Sequence, residues 1–286
     1  MPTFDTPLPI SASIRLVVGD IRIVGSDRAD TVIAVSPSDD RHEPDISAAE
    51  RTRVEYSDGT LQVIGTKGWG LSPSRKTGSV QVSIELPAGS QVEAVCGLGT
   101  ILGGGRLGEC RLRTGAGDIR LQDASGLDLE TGLGTIAAER ISGDVACTTA
   151  SGRIRIVAIE GRAQVKNSNG ATWIGEAIGP LRVKAANGGV SVDHAHSDVN
   201  AATANGDVRL GCVGQGAVDL KTALGSIEVG IPTGTAALLD LHTSFGTVHN
   251  DMDPSAGPAS ADATVTINAQ TSAGDIVISR SSASDG

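Results

Sequence analysis

The sequence predicts an all-β chain: a right-handed parallel β-helix (β-solenoid) of roughly 18-residue coils, capped by an N-terminal β-rich region. Three observations carry this. A Gly stands at positions 99, 117, 134, 152, 170, 188, 206, 225, 246 and 274, and six of the nine intervals are 17 or 18 residues. A unit this short has no room for a helix. Aliphatic residues keep a fixed phase to that Gly. Aromatic residues make up 2% of the 286 residues, which suits a narrow interior filled by Val, Ile, Leu and Ala.

Residues 1–90 lack the repeat. Alternating runs at 11–18, 20–24, 31–35, 53–56, 60–64 and 79–86, parted by turn signals such as Ser57-Asp58-Gly59, predict five or six strands. They form a β-rich cap over the first coil, whose edge is otherwise unpaired. Residues 45–53, with Ile46 and Ala49 on one side, predict the only helix. In the loop 67–79, Trp69 stands among Lys67, Arg75 and Lys76. It is expected to pack back on the cap, with a partner contact as the alternative.

Residues 91–280 are the predicted β-helix. Two residues after each Gly come Ile101, Ile119, Ile136, Ile154, Thr172, Val190, Val208, Ile227, Val248 and Ile276. Two further on, most positions are again aliphatic. Residues two apart on a strand share a face, so both columns point inward. A second strand per coil presents Cys110, Leu127, Val145, Ala163, Leu181, Val199, Val218, Leu239 and Ile267, with a partner column two residues later. Thr-x-x-Gly corners part the strands. The Thr column (Thr114, Thr131, Thr149, Thr203, Thr222, Thr243 and Thr271) has core parity, so its hydroxyls are expected to face inward and satisfy backbone groups. Asn169, Asn187 and Asn205 read as a stacked column tolerant of left-handed backbone.

The last intervals, 19, 21 and 28, read as insertions that enlarge the final coils. Residues 251–263 are then a mobile corner loop and residues 281–286 a disordered tail. Right-handedness follows from the general rule for parallel crossovers. A left-handed hexapeptide helix has inward residues every six positions, which these columns do not show.

Val18-Gly19-Asp20-Ile21-Arg22-Ile23, Ser83-Ile84-Glu85-Leu86-Pro87-Ala88-Gly89 and the T-G-x-G-D-I-x-L coils together resemble a bacterial adhesin-like β-strand-repeat family of unknown function. The segment from Lys166 to Glu176 is similar to its members, in which Asp often replaces the residue at Ala171. The resemblance spans essentially the whole chain. It implies a right-handed parallel β-helix and an adhesin-like role, and it brings no catalytic residue.

A net charge of −10 argues against a nucleic-acid partner, whose phosphates demand a basic stripe. No run of apolar residues is long enough to span a membrane. Met1-Pro2-Thr3-Phe4-Asp5 lacks the start of a signal peptide, so the expected location is cytoplasmic. The four cysteines show no C-x-x-C and share no column, and they read as small buried hydrophobes.

The outward columns hold the candidates for chemistry. Asp219 and Asp240 read as stacked neighbours about 5 Å apart, with Lys221 and His242 beside them. That spacing suits a retaining glycosidase. A solvated charge ladder is the expectation. The G-x-G-x-D coils resemble calcium repeats, but Asp118, Asp207 and Asp275 are not on successive coils. His194 and His196 bracket Ala195 at a corner without a visible third ligand. No metal, cofactor or catalytic residue is therefore expected. The reading is a non-catalytic binding or scaffolding protein for a protein or glycan partner, with self-association through the C-terminal coil open. The alternative is a carbohydrate-active enzyme using Asp219 and Asp240.

Overall fold

The computed structural model describes residues 2–65, 77–252 and 263–281. Every described element except the helix Glu43–Arg51 is a strand. The chain divides into two compact units at Gly143/Asp144. Each is a parallel β-helix whose rungs present two strands, one to each side of an aliphatic interior.

In the N-terminal unit, Ile101 pairs with Ile119 and Ile119 with Ile136 in register. On the other side Val92 pairs with Cys110, Cys110 with Leu127 and Leu112 with Leu129. All of these are buried. Each such side chain contributes about 1.5–3 kcal/mol when removed from water.

The rungs do not follow chain order. The expected runs 11–18 and 20–24 are one strand, Ser11–Ser26, which pairs in parallel with Thr60–Ile64 and Gln91–Leu98 through its first half. Through its second half it pairs with Val80–Pro87 and Ile101–Ala116. The first strand of the ladder thus fills a slot between segments that come later. The expected boundary at residue 90 falls between Val80–Pro87 and Gln91–Leu98, and Ser11–Ser26 is a rung of the same ladder as the second of them. Beyond Val80–Pro87 and Thr60–Ile64 the pairing turns antiparallel, with Asp30–Pro37 on the first and Arg53–Ser57 on the second.

The helix spans Glu43–Arg51 and so begins two residues before its expected start. Pro44 lies in the first turn, where its missing N–H costs nothing. Buried Asp45 accepts bonds from the backbone N–H of Ser79 (2.9 Å) and of Asp39 (3.2 Å), which ties the helix to the strands it covers. The Ser79 bond, more than any other influence, holds its carboxyl below the usual range, and the bonds from His42 and Asp39 add to it. The loop 67–79 lies outside the described residues through position 76, as do most of the loop 251–263 and the tail after residue 281.

In the C-terminal unit one inner column runs Val145, Ala163, Leu181, Val199, Val218 and Ile267. The facing column runs Ile154, Thr172, Val190, Val208, Ile227 and Ile276. Here too space departs from sequence. Gly216–Leu224 pairs with Ala263–Ala273, and that strand pairs with Thr235–Phe245. Ile227–Pro232 pairs with Ile276–Ser281, which pairs with Val248–Asn250. The chain goes from one rung to the second rung beyond it, then returns to fill the gap. The intervals of 21 and 28 residues are therefore an outward jump and a return, not two enlarged successive coils. The backbone bonds Gly225 N–H to Ala273 O and Gly274 N–H to Phe245 O, both 2.9 Å, follow the same order.

The corners hold as the Thr column suggests except at Thr149, whose buried hydroxyl has no hydrogen-bond partner among the described residues. Thr114, Thr131, Thr203, Thr222 and Thr271 are buried, and each hydroxyl donates to the carbonyl of the corner Gly one rung away, at 2.9–3.3 Å. Thr222→Val keeps the shape and removes the donor to Gly206 O, which Thr222 reaches at 2.9 Å. It should lower stability by about 1–2 kcal/mol in urea unfolding. An unshifted midpoint would show that the hydroxyl contributes nothing there.

The Asn column is a ladder of a different origin from the expected one. Asn205 Nδ2 donates to Asn187 Oδ1 (2.8 Å), and Asn187 Nδ2 to Asn169 Oδ1 (2.9 Å). Among the described residues the one non-glycine with positive φ is Asp58. The three Asn are therefore in place because their amides stack and bond, not because the backbone is left-handed.

Candidate functional site

The Asp that follows a corner Gly, weighed above as a calcium ligand, bonds within the protein. Asp20 Oδ1 accepts from Thr100 N–H, Asp118 Oδ1 from Thr135 N–H, Asp207 Oδ1 from Ser226 N–H and Asp275 Oδ1 from Thr247 N–H, all at 2.8 Å. Each carboxylate reaches to the adjacent rung and satisfies a corner donor. The Thr247 bonds hold the Asp275 carboxyl below its ordinary value. Among the described residues no three His, Cys, Asp or Glu converge as a metal site.

His194 and His196 belong to no such group. His196 Nε2 lies 2.9 Å from Glu176 Oε1 in an exposed pair. His194 stands in register between Glu176 and Cys212 on three successive rungs, a row the sequence reading passed over. Cys212 Sγ lies 3.6 Å from the Ser281 hydroxyl. Cys96, Cys110 and Cys147 are buried in the core. Burial pushes the Cys96 thiol up to about 11 and the Cys110 thiol up to about 12, so neither supplies a thiolate near neutral pH.

Asp219 and Asp240 are not neighbours. Asn268 pairs in register with both, so it stands between them. The returning strand Ala263–Ala273 takes the rung that the sequence order assigns to Thr235–Phe245. Two rungs separate the carboxylates by roughly 10 Å, about twice the retaining spacing. Lys221 Nζ, as expected, lies beside Asp219, at 3.3 Å from Oδ2. The same oxygen accepts from Asn200 Nδ2 at 3.1 Å.

What the structure does assemble is a groove of about 630 Å³ on the outer side of this sheet, inside the C-terminal unit. Most of its polar lining comes from one outward column, Gln164, Arg182, Asn200, Asp219 and Asn268, which strand register stacks in that order, and Arg162, Asp198 and Thr266 add to it from beside the column. Pro180, Ala217 and the flanks of the neighbouring aliphatic residues supply its apolar part. Arg162 and Arg182 lie toward one end and are exposed, without an ion pair among the described residues. Toward the other end Asp219 Oδ1 and Asn268 Oδ1 are shielded from water yet have no hydrogen-bond partner among the described residues. A buried acceptor left unmet costs free energy, which a donor entering the groove would recover. The sequence showed each member of the column, but the placement of Asn268 hid the grouping.

Elsewhere on the outer surface of the unit the Arg155 guanidinium stacks 3.9 Å above the Trp173 ring, a cation–π pair on adjacent rungs. Among the described residues no helix is long and apolar enough to cross a membrane.

No curated protein matches the chain. Among solved structures it is similar to a putative cell adhesion protein from Clostridium sporogenes, at 10% identity and TM-score 0.27, over 98% of both chains. It is also similar to a putative adhesin from Bacteroides fragilis, at 15% identity and TM-score 0.33, over 97% of this chain and 96% of that one. A third, a putative adhesin from Parabacteroides distasonis, matches at 12% identity and TM-score 0.33, over 96% and 95%. The model of the Toastrack DUF4097 family matches residues 13–285, and the chain belongs to that family.

Proposed function

We propose that this protein is a non-catalytic, adhesin-like binding or scaffolding protein that takes its partner in the groove over Gln164, Arg182, Asn200, Asp219 and Asn268. The observation that supports this reading is the pair of shielded, unmet acceptors, Asp219 Oδ1 and Asn268 Oδ1, in a groove with unpaired guanidinium groups toward its other end. A partner with both hydrogen-bond donors and acceptors, such as a glycan or a polar protein segment, complements that lining. Asn200, Asp219 and Asn268 are short side chains on stacked strands, and Asn200 already bonds Asp219, so this end of the groove needs little ordering to bind.

The test is binding of the whole chain to arrayed oligosaccharides and arrayed peptides, beside Asn200→Ala with Asp219→Ala in one variant. Wild type should retain a defined subset, and the double variant should lose it by about tenfold or more. Equal retention by both forms would remove the groove from the reading. Assays for new reducing ends on any retained oligosaccharide should show no turnover. Turnover lost in Asp219→Asn and Asp240→Asn would restore the enzyme reading instead.

A further inference from the structure

Among the described residues the outermost rung of the C-terminal unit is the strand Thr235–Phe245, and its outer edge carries no strand. Among the described residues it has a ladder partner only in Ala263–Ala273. In the rung beneath, Ile267 and Ala269 are fully buried, while their register partners Leu239 and Leu241 are half-exposed. Leu238 and Phe245 are 70% and 80% exposed, and Val248, in the facing column, is 44% exposed. In the N-terminal unit the outer parallel strands are followed by antiparallel ones. Among the described residues nothing comparable guards this edge: TAALLDLHTSF holds no Pro, Lys or Arg, and its one acidic residue is Asp240.

We infer that this strand pairs antiparallel with the same strand of a second copy, closing a two-fold dimer about Leu241. The sequence around that residue is complementary to itself. With Leu241 on the axis, Asp240 stands opposite His242 of the second copy, and His242 opposite its Asp240. On the inner face Leu239 meets Thr243, and Leu241 meets Leu241. On the outer face Leu238 meets Ser244. Directly opposed side chains in an antiparallel pair approach to about 4.5–5.5 Å, within reach of a carboxylate–imidazole contact made twice by symmetry. Shifting the register by one residue would place outward Asp240 opposite an inward position and expose every Leu of the inner face. An isologous contact of this kind closes at two copies instead of growing into a filament. The inference does not depend on the groove being a ligand site.

Sedimentation velocity over a wide concentration series tests it, with the full chain. Wild type should show a monomer–dimer equilibrium and no larger species. His242→Glu sets two carboxylates opposite each other twice and should raise the dimer dissociation constant about tenfold or more. Adding Asp240→Lys to it restores opposite charges across the strands and should bring the constant back close to wild type. Both positions are exposed, and unchanged circular dichroism should confirm the fold. Hydrogen exchange gives a second readout, since amides within 235–245 should slow as concentration rises. A chain monomeric at every concentration, an unaltered dimer in His242→Glu, failure of the second charge change to rescue, or open-ended growth would each overturn the inference.

Discussion

Gly117→Ala should cost about 3 kcal/mol or more, among the largest losses expected of a single methyl added to this protein. The residue has φ of 142°, a region open to glycine and strained for anything with a Cβ. Space is the second objection. A Cβ on Gly117 would lie 2.0 Å from the carbonyl oxygen of Gly99 and 2.6 Å from its carbon. Neither atom can yield. Gly99 O also accepts the Thr114 hydroxyl, and Gly117 N–H donates to Leu133 O at 2.8 Å. The substitution must therefore push two rungs apart or break the corner. Gly59→Ala is the control, because its φ of 73° is also unfavourable but a Cβ there meets nothing within 4 Å. Urea unfolding of both variants separates backbone strain from crowding. Gly59→Ala should lose about 1 kcal/mol. Equal losses in the two would mean that close stacking of the corners adds nothing.

Ile119→Ala should cost about 3–5 kcal/mol. Ile119 is fully buried and stacked in register between Ile101 and Ile136. In a globular core a neighbouring helix can lean into such a void. Here the neighbours belong to strands whose separation is set by backbone hydrogen bonds, about 4.8 Å, and that spacing cannot shrink. The cavity should persist, so the loss belongs near the upper end of the range for this change. Ile119→Val should cost only about 0.5–1.5 kcal/mol. Hydrogen exchange should show protection lost first in the rungs that hold Ile101 and Ile136, because each rung rests only on its neighbours. Protection lost evenly across the N-terminal unit would contradict that local coupling.

The inner columns and the Thr-x-x-Gly corner were legible in the sequence because both are local. A strand alternates, a corner needs a residue without a side chain, and each requirement recurs at the same phase in every coil. Rung order was not legible, because spacing along the chain counts residues and not levels. The step from Gly246 to Gly274 looks like one long coil, yet the hydrogen bond from Gly274 N–H to Phe245 O shows the chain stepping back. Gly19 raises the same problem at the other end. It approaches Gly99 as one corner Gly approaches the next, although the two are eighty positions apart in the chain. Gly19-Asp20-Ile21 repeats Gly117-Asp118-Ile119, and in both the Asp bonds to the corner one level on. That match was the available signal.

The candidate site suffered from the same error in rung order. Asp219 and Lys221 are in contact as expected, since they lie two apart on one strand. Asp240 needed the correct neighbour, and Asn268 occupies that place. The grouping of Asn200, Asp219 and Asn268 could be recognised only once the returning strand was assigned its level.

The returning strand also bears on biosynthesis. A ribosome delivers Gly216–Leu224 and Thr235–Phe245 before Ala263–Ala273, yet the last of these is the layer that joins the other two. The earlier pair cannot dock on each other in their final places while the chain is still emerging, so this end of the molecule matures as a late insertion, after the segments on either side already exist. Until that keystone arrives, the nascent protein carries two raw β-edges facing an empty slot, and a folding helper or a premature stop would act at that point.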